Sequence, residues 1–544
     1  MIVSLQRVGI EGALMRALIR YLAIVVALLW VAPLHAQQAG VQQQVMALLA
    51  APQRMELPIE RIRPALTAYY VNGRASPYWV GTGRMDQFLA RLNSAVYDGL
   101  NTADYPIDTL GQLRDAANSG DVAAGAQAEL YYSAFFVAYA SDLRTGRVTP
   151  QKVDPNQFHN PKTLDPERVL ADIGKSRDPS RALSAYEPRN PHYMALKQML
   201  KVYTNAIQQG LNWPVIGPGP AVGPGGSDPR LPALRNLLAL TGDYDGAANS
   251  STSFDSQLAK AVVLFQQRHG LEAKGLLGKQ TVFALNIPPA ERQRQIIVNM
   301  ERWRWLPDDL GAEHFLVNIA GFELEHVMQG TVVDRMNVVV GAVATQTPEF
   351  TAAMQYIELN PYWNVPTTIA INEMLPKLKA NPLAYAEDFE LFARGRPESW
   401  GAVNWATVSA AGFPFTIRQK PGPKNALGQV KFMLPNRFDI YLHDTPAKDK
   451  FFNTTRAFSH GCIRLSKPVD LAYFMLARAG LDKPDIDAIW ATGQNQRVDL
   501  PKAVPVHIVY ATAFSSDLGI EFRTDVYGRD RKLYDALFGR RPAT

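Results

Sequence analysis

The sequence contains a single cysteine, Cys462, among 544 residues. One cysteine cannot pair within its own chain, which excludes a fold held together by internal disulfides. The net charge at pH 7 is only +6, and no dense run of lysine and arginine is present. Such a mild charge predicts no dedicated nucleic-acid partner, although it suits weak attraction to anionic polymers or membrane surfaces.

Globular domains are nevertheless indicated by the composition, which is 47% hydrophobic and 19% charged. A chain of this length exceeds what one hydrophobic core supports, so we expect two to four domains.

An export signal is predicted at the N-terminus. Three arginines occur early, Arg7, Arg16 and Arg20. The apolar run YLAIVVALLWVAPL and then HAQQ follow, which is the order of a secretory signal. We predict a signal peptide over 1–36, cleavage after Ala36 and a periplasmic protein with no membrane span after cleavage. The run is short for a bilayer span, but an uncleaved membrane anchor is an open alternative. Translation could also start at Met15 instead of Met1.

A helical scaffold is predicted over 37–228. In MDQFLARLNSAVYDGL, apolar residues recur at helical spacing, and AELYYSAFFVAYASDLRTG predicts a buried helix that ends at Gly146. The Pro/Gly-rich stretch 214–229 predicts a linker or irregular connection. A small helical unit is then predicted over 229–290, where Gly270 is placed to end the helix in FDSQLAKAVVLFQQRHG.

From about residue 314 the apolar residues alternate with polar ones, which predicts β-strands. We expect a mainly β domain over 300–512, interrupted by a capping insert at about 367–428, and a C-terminal extension over 513–544. A helix is predicted after Cys462 in KPVDLAYFMLARAG. The predicted fold class is therefore multidomain α+β.

Cys462 has three possible roles: a buried apolar side chain, a metal ligand or a nucleophile. As a nucleophile it needs a base, and His443 and His460 are candidates. A metal site would use these histidines and His507, but His-Gly-Cys is tighter than usual ligand spacing and no second cysteine is present. We therefore predict neither a metal nor another cofactor.

The neighbours of Cys462 suit acyl transfer. Strand alternation in FDIYLHDTP places Tyr441 and His443 on one face. Gly461 permits an unusual backbone angle, so backbone N–H groups near it are predicted to form an oxyanion hole. The helix expected after Cys462 is predicted to lower the pKa of the thiol through its dipole.

His443, fifteen further residues and then Ser459-His460-Gly461-Cys462-Ile463-Arg464 resemble the signature of the YkuD-type L,D-transpeptidase catalytic domain. The resemblance extends to MLPNRFDIYLHDTP and NPYWNVP. The order of parts resembles large exported members with a helical scaffold, a peptidoglycan-binding domain and a capping insert. Arg464 is a residue that some members carry at this position, where others have Asn.

The unit at 231–287 resembles the peptidoglycan-binding module of cell-wall enzymes. Its matching residues are Gly270, Leu271, Gly275, Gly278, Thr281 and the stretch Ala284-Leu285-Asn286. Lys274 stands where Asp is usual, which weakens the case for glycan binding more than the case for the fold. A purely structural helical spacer is the alternative.

These resemblances imply an enzyme that acts on peptidoglycan stem peptides. Cys462 would attack the third residue of a donor tetrapeptide, release D-alanine and pass the acyl group to a diaminopimelate amine, giving a 3–3 cross-link. Water as acceptor would give an L,D-carboxypeptidase, and a lipoprotein lysine would give an anchoring enzyme. A non-catalytic wall-binding scaffold is a rival of another class. Other cell-wall synthesis enzymes are candidate partners.

The resemblance also assigns roles to single residues. His443 is the implied base, oriented by the carbonyl of Asp444, while Gly461 and Cys462 supply the oxyanion N–H groups. His460 is expected to be a structural or electrostatic aid. Four residues are predicted to contact substrate, namely Arg464, Ser459, Tyr441 and Trp363. Arg464 suits a stem-peptide carboxylate, with the alternative that it only pins the loop.

Overall fold

The structure is a computed structural model that describes residues 36–246 and 249–539. Within these residues, all the named elements before Glu313 are helices, and strands predominate from Glu313 to Phe522. The predicted multidomain α+β fold is confirmed. The predicted signal peptide lies almost entirely outside the described residues. Among the residues that are described, no helix is long and apolar enough to cross a membrane.

The N-terminal part is a bundle of helices. Its helices cover 36–50, Leu57–Leu66, Arg84–Asn93, Ile107–Asn118, Val122–Thr145, Pro150–Val153, Pro166–Lys175, Pro179–Ser184 and Pro191–Gln208. Three of them begin with proline directly after an Asp or Asn cap, at Asp165, Asp178 and Asn190. Each cap accepts backbone N–H groups that have no partner within the helix, and the proline needs no such partner.

The buried helix predicted in this part is confirmed as Val122–Thr145, which ends at Gly146 with φ +82°. Its core position is stabilised by Glu129, a fully buried carboxylate. Glu129 accepts hydrogen bonds from the Tyr70 hydroxyl at 2.7 Å and from the Trp79 N–H at 2.9 Å. Because the buried carboxylate has these donors, its burial does not leave it unsatisfied.

The Pro/Gly-rich stretch packs onto the small helical unit that follows it. The Leu277 N–H donates to the Val222 carbonyl at 2.8 Å, and the side-chain oxygen of Asn286 accepts the Ile216 N–H at 2.8 Å. This unit, which we call the module, contains the helices Leu231–Leu240, Ser256–Arg268 and Lys279–Leu285. The long helix Pro289–Trp305 then leads into the β domain.

The strands of the β domain in the described residues are β1 Glu313–Asn318, β2 Glu323–Met328, β3 Thr331–Gly341, β4 Phe350–Leu359, β5 Trp363–Asn364, β6 Phe389–Ala393, β7 Arg396–Glu398, β8 Phe415–Gln419, β9 Val430–Met433, β10 Leu442–His443, β11 Ala457–Ser459, β12 Ile463–Leu465, β13 Gln496–Val509, β14 Ala513–Ser516 and β15 Gly519–Phe522. Nine of them form one sheet with the order β11-β3-β12-β10-β9-β4-β13-β1-β2. The helices Pro468–Ala477 and Lys483–Thr492 lie between β12 and β13 in the chain.

The insert between β4 and β9 has a sheet and a core of its own. Its strands have the order β5-β8-β6-β7. Its helical segments are Thr367–Ile369, Ala370–Met374 and Leu375–Ala380. Trp400, Trp405 and Leu391 are buried together at its centre. The insert was predicted to begin at about residue 367. Its sheet begins earlier, because β5 belongs to it and starts at Trp363.

The C-terminal end returns to the helix Pro289–Trp305. The helix Arg529–Phe538, which follows the hairpin β14–β15, packs against the helix Pro289–Trp305. Arg302 of one helix pairs with Asp530 of the other at 2.6 Å. The chain end therefore helps to fix the connecting helix against the β domain.

Candidate active site

Cys462 lies in a tight turn between β11 and β12. Gly461 precedes it with φ +125°, a conformation that side-chain-bearing residues rarely adopt. A Cβ at this position would lie 3.3 Å from Ile440 Cδ1. Glycine is therefore needed here both for the backbone angle and for the close packing of the turn.

Two hydroxyl groups hold the turn in shape. The Ser459 hydroxyl donates to the Cys462 carbonyl at 2.6 Å and accepts the Gly461 N–H at 3.0 Å. From the loop between β3 and β4, the buried Thr347 hydroxyl donates to the Gly461 carbonyl at 2.7 Å and accepts the Gly341 N–H at 2.9 Å. Thr347 is a residue that the sequence analysis missed, because its position more than a hundred residues before Cys462 gives no local signal.

These contacts correct two predictions about the turn. Ser459 is buried and uses its hydroxyl within the loop, so it positions Cys462 instead of contacting substrate. The Gly461 N–H is also occupied, by Ser459, and is not free to hold an oxyanion. The Cys462 N–H has no hydrogen-bond partner within the described residues, so it is available as a donor in the turn.

The strands β10 and β12 pair in parallel, with Leu442 opposite Ile463 and His443 opposite Arg464. Leu442 and Ile463 are fully buried in the core of the sheet. Because side chains alternate along a strand, His443 and Arg464 lie on the opposite face. The neighbouring positions Tyr441 and Cys462 share that face, and Tyr441 contacts His443 with ring centroids 5.6 Å apart.

His443 is only 4% exposed, and its Nδ1 bonds the carbonyl of Asp444 as predicted. A carbonyl accepts only, so Nδ1 carries the proton and Nε2 keeps a free lone pair. Burial, together with the positive charge of Arg464, lowers the pKa of His443 to about 3. The imidazole is therefore neutral at physiological pH, which is the form that a general base needs.

The environment of the Cys462 thiol corrects a further prediction. The helix after it begins only at Pro468, and β12 lies between the two, so no helix dipole acts on the thiol. Burial raises the pKa of Cys462, while hydrogen bonds from Tyr441 and the charges of Lys431 and Arg464 oppose this rise. At rest the thiol is therefore protonated, and its hydrogen points to the Asp439 carbonyl at 3.6 Å.

Tyr441 and Lys431 complete the surroundings of the sulfur. Burial raises the pKa of Tyr441, so its hydroxyl stays protonated and remains a donor to the thiolate. Lys431 pairs across strands with His443 and has its Nζ 4.3 Å from the centre of the Tyr441 ring. Lys431 could not be predicted from the sequence, because the strand register that brings it beside His443 is not visible in one strand alone.

The remaining predicted residues lie around this face. His460 is half exposed, and its Nε2 bonds Glu373 of the insert at 2.7 Å. The Nε of Arg464 is buried without a hydrogen-bond partner in the described residues. Trp363 packs against the core of the insert. His507 belongs to another region, where it bonds Thr351 and the Leu310 carbonyl.

Residues 312–498, which contain this site, match the family model described as the L,D-transpeptidase catalytic domain. They form an L,D-transpeptidase catalytic domain. Two further family models match the preceding parts of the chain: a scaffold domain over 64–200 and a putative peptidoglycan binding domain over 227–285. The resemblance inferred from the sequence is thereby confirmed.

A putative L,D-transpeptidase from Haemophilus influenzae is 29% identical to this chain over 270 residues. The match covers 48% of this chain and 54% of the relative, so the chain spans about half the length of the curated relative it matches.

The L,D-transpeptidase domain also has likenesses among solved structures. An L,D-transpeptidase from Stackebrandtia nassauensis is 14% identical, with a TM-score of 0.22, over 54% of this chain and 96% of the other. One from Xylanimonas cellulosilytica is 13% identical, with a TM-score of 0.17, over 54% of this chain and 99% of the other.

Proposed function

We propose that this protein is an L,D-transpeptidase that forms 3–3 cross-links in peptidoglycan through a thioester on Cys462. The proposal rests on the parallel pairing of β10 with β12, because it gives the thiol and the His443 imidazole a common face outside the core. The match of residues 312–498 to the catalytic-domain family supports it.

Acylation begins with proton transfer from the Cys462 thiol to Nε2 of His443. The sulfur attacks the carbonyl of the third stem residue, and the developing oxyanion accepts the Cys462 N–H. The Tyr441 hydroxyl and the charge of Lys431 stabilise the thiolate while it forms. When the peptide bond breaks, His443 returns its proton to the leaving amine of D-alanine, and a thioester remains on Cys462.

Transfer to the acceptor reverses the proton movements. The side-chain amine of an acceptor diaminopimelate attacks the thioester, gives a proton to His443 and forms the new amide. That proton returns to the sulfur, so the thiol is regenerated and atoms balance over the cycle. Asp444 holds the imidazole in the required tautomer throughout. Arg464, whose Nε has no partner among the described residues, binds a stem-peptide carboxylate, and Trp363 lines the approach from the insert.

The surrounding parts have supporting roles in this proposal. We assign the signal peptide to 1–36, the scaffold with its linker to 37–228, the peptidoglycan-binding-like domain to 229–290, the catalytic domain to 300–512 and an extension to 513–544. The protein would be exported to the periplasm, where peptidoglycan stem peptides are its substrate and other cell-wall synthesis enzymes its candidate partners.

The proposal is tested by intact-mass spectrometry after incubation with a carbapenem, with Cys462→Ala as the matched control. We expect one covalent adduct on the unaltered protein and none on Cys462→Ala. No adduct on either protein would contradict a thioacyl-enzyme and would favour a non-catalytic wall-binding scaffold.

The product formed at this site identifies which acceptor the enzyme uses. Incubation with tetrapeptide-bearing muropeptides should give dimers joined between two third residues. Tripeptides without dimers would instead indicate an L,D-carboxypeptidase, and stem peptides attached to a lipoprotein lysine would indicate an anchoring enzyme.

A further inference from the structure

A large cavity of about 1360 Å³ lies outside the candidate active site, where four parts of the chain meet. Its walls come from the module, the helix Pro289–Trp305, the catalytic domain and the helix Arg529–Phe538. Neither Cys462 nor His443 contributes to it. A cavity of this size at a domain interface is where ligand sites are commonly found.

Three cations on the cavity wall have no carboxylate within 4 Å among the described residues: Lys279, Arg292 and Arg456. Lys279 is exposed, whereas Arg292 is 5% exposed and bonds only neutral oxygens, on Gln295 and Ala284. Burial lowers the pKa of Arg292 and that of Arg456 to about 10. A buried guanidinium without a counter-charge is costly, so an anion bound in the cavity would be favourable.

The carboxylates on the wall leave Lys279 and Arg292 without a counter-charge within 4 Å among the described residues, and only Glu323 attracts Arg456, from beyond 4 Å. Five of them lie within 4 Å of other cations, in the pairs Glu272–Lys274, Glu291–Arg294, Glu323–Arg335, Asp530–Arg302 and Asp535–Arg531. The sixth, Asp525, accepts the Tyr510 hydroxyl and the N–H groups of Arg529 and Asp530. The positive charge available to a ligand is therefore mainly that of Lys279 and Arg292.

Two exposed aromatic rings also line the cavity, one from each of the domains that meet there. Phe283 of the module is 74% exposed, and Phe452 of the catalytic domain is 89% exposed. Exposed large apolar side chains grouped around a cavity mark a binding site more often than a chance surface. Flat rings beside unpaired cations suit a ligand that combines sugar faces with carboxylates.

The cavity wall continues directly into the catalytic turn. Arg456 precedes β11 by one residue and Cys462 by six. Six extended residues span at most about 20 Å, so the Arg456 edge of the cavity lies within about that distance of Cys462. Arg456 also donates to the Phe322 carbonyl at 3.0 Å and to the Val338 carbonyl at 3.3 Å, which ties this wall to the sheet.

We propose that this cavity is a composite binding site for a carboxylate-bearing glycopeptide, namely a peptidoglycan strand with its stem peptides. Phe283 and Phe452 contact the sugar faces, and Lys279 and Arg292 bind stem carboxylates. This inference rests on the proposed function and deepens it, because the module and the catalytic domain would grip one polymer together. Neither domain alone forms the site.

The test is cosedimentation with insoluble peptidoglycan that carries diaminopimelate stems. The variants Lys279→Glu and Phe283→Ala change the module wall, and Phe452→Ala changes the catalytic wall. We expect each to weaken binding about fivefold or more. Lys260→Glu and Leu240→Ala are matched controls, since both residues are exposed on the module and lie outside the cavity.

Several results would overturn the inference. Binding of Lys279→Glu and Phe283→Ala within twofold of the unaltered protein would remove the cavity as a site. A loss with Phe283→Ala but none with Phe452→Ala would indicate a site on the module alone. Glycan strands stripped of their stems should bind more weakly, and Lys279→Glu should then have no further effect. Equal binding of stripped and intact strands would contradict the role of the carboxylates.

Failure of this inference can be told apart from failure of the proposed function. Carbapenem adduct formation at Cys462 does not require a glycan strand, so each variant should be acylated at the rate of the unaltered protein. Normal acylation with unchanged peptidoglycan binding would overturn the composite site alone. Absence of acylation in the unaltered protein would overturn the proposed function itself.

Discussion

His443 and Arg464 lie directly opposite each other on the parallel strands β10 and β12. This pairing gives the imidazole a fixed positive neighbour, and burial together with that charge keeps the pKa of His443 low, at about 3. The same charge opposes the rise that burial causes in the pKa of Cys462. This one strand register thus affects the pKa of the His443 imidazole and that of the Cys462 thiol together.

The two histidines near Cys462 should differ sharply when they are replaced. His443→Gln removes the general base and is expected to slow carbapenem acylation by about 10²–10⁴-fold. His460→Gln breaks only a half-exposed contact with Glu373, worth about 0–1 kcal/mol, so its effect should stay within roughly fivefold. Stopped-flow acylation rates check this, and a larger loss with His460→Gln would reverse the assignment of the base.

Replacing Arg464 should make the thiol less reactive. Its charge lowers the pKa of Cys462, so Arg464→Gln is expected to raise that pKa further and to leave less thiolate at a given pH. The rate of alkylation by iodoacetamide, measured from pH 6 to 10, should shift to higher pH.

Arg396→Gln is the control for this charge change, because Arg396 is exposed on β7 of the insert. Its alkylation profile should match that of the unaltered protein. An Arg464→Gln profile that also matches would contradict an electrostatic role for Arg464.

Thr347 should be required for the shape of the catalytic turn. Thr347→Val leaves the Gly461 carbonyl and the Gly341 N–H without their buried partner, which costs about 1–3 kcal/mol. We expect a lower melting temperature and slower acylation, whereas Thr347→Ser keeps the hydroxyl and should behave nearly as the unaltered protein. Thr367→Val, an exposed position, is the control for the substitution itself. Unchanged stability and acylation in Thr347→Val would show that the turn does not need this hydroxyl.

Acid should destabilise the fold partly through His507. Burial lowers the pKa of His507 to about 4, and it is only 2% exposed between Thr351 and the Leu310 carbonyl. Below pH 6.5 the unfolded chain binds this proton and the folded chain does not, so the stability contributed by His507 is lost as the pH falls towards 4.

His507→Gln lacks this proton linkage. Between pH 7 and pH 5 the unfolding free energy of the unaltered protein should fall by about 2 kcal/mol relative to that of His507→Gln. Urea unfolding of both proteins at the two pH values measures the difference. A gap that does not change with pH would mean that His507 can be protonated within the fold.

Local patterns in the sequence predicted much of the fold. Apolar spacing predicted the buried helix Val122–Thr145, and Gly146 predicted its end. Alternation in FDIYLHDTP predicted that Tyr441 and His443 share a face, and they contact each other. The helix after Cys462 was also predicted, but its start at Pro468 removed the dipole effect expected from it.

Contacts between distant segments could not be predicted in this way. Ser459 was expected to meet substrate, yet its hydroxyl closes the turn from within. Thr347 enters the site from the loop between β3 and β4, and Lys431 from β9. Lys279 and Arg292 line one cavity with Phe452 only because the module and the catalytic domain lie side by side.

The sequence by itself was enough to propose Cys462 as the nucleophile and His443 as its base, because a lone cysteine after Ser-His-Gly and a histidine at fixed spacing form a local pattern. It could not determine their protonation, since the pKa of each depends on burial and on charges brought close by strand register. The tertiary structure decided that His443 is neutral, that the Cys462 thiol is protonated at rest and that the Gly461 N–H is occupied. Each of these properties arises from groups far apart in the chain that only folding brings within a few ångströms.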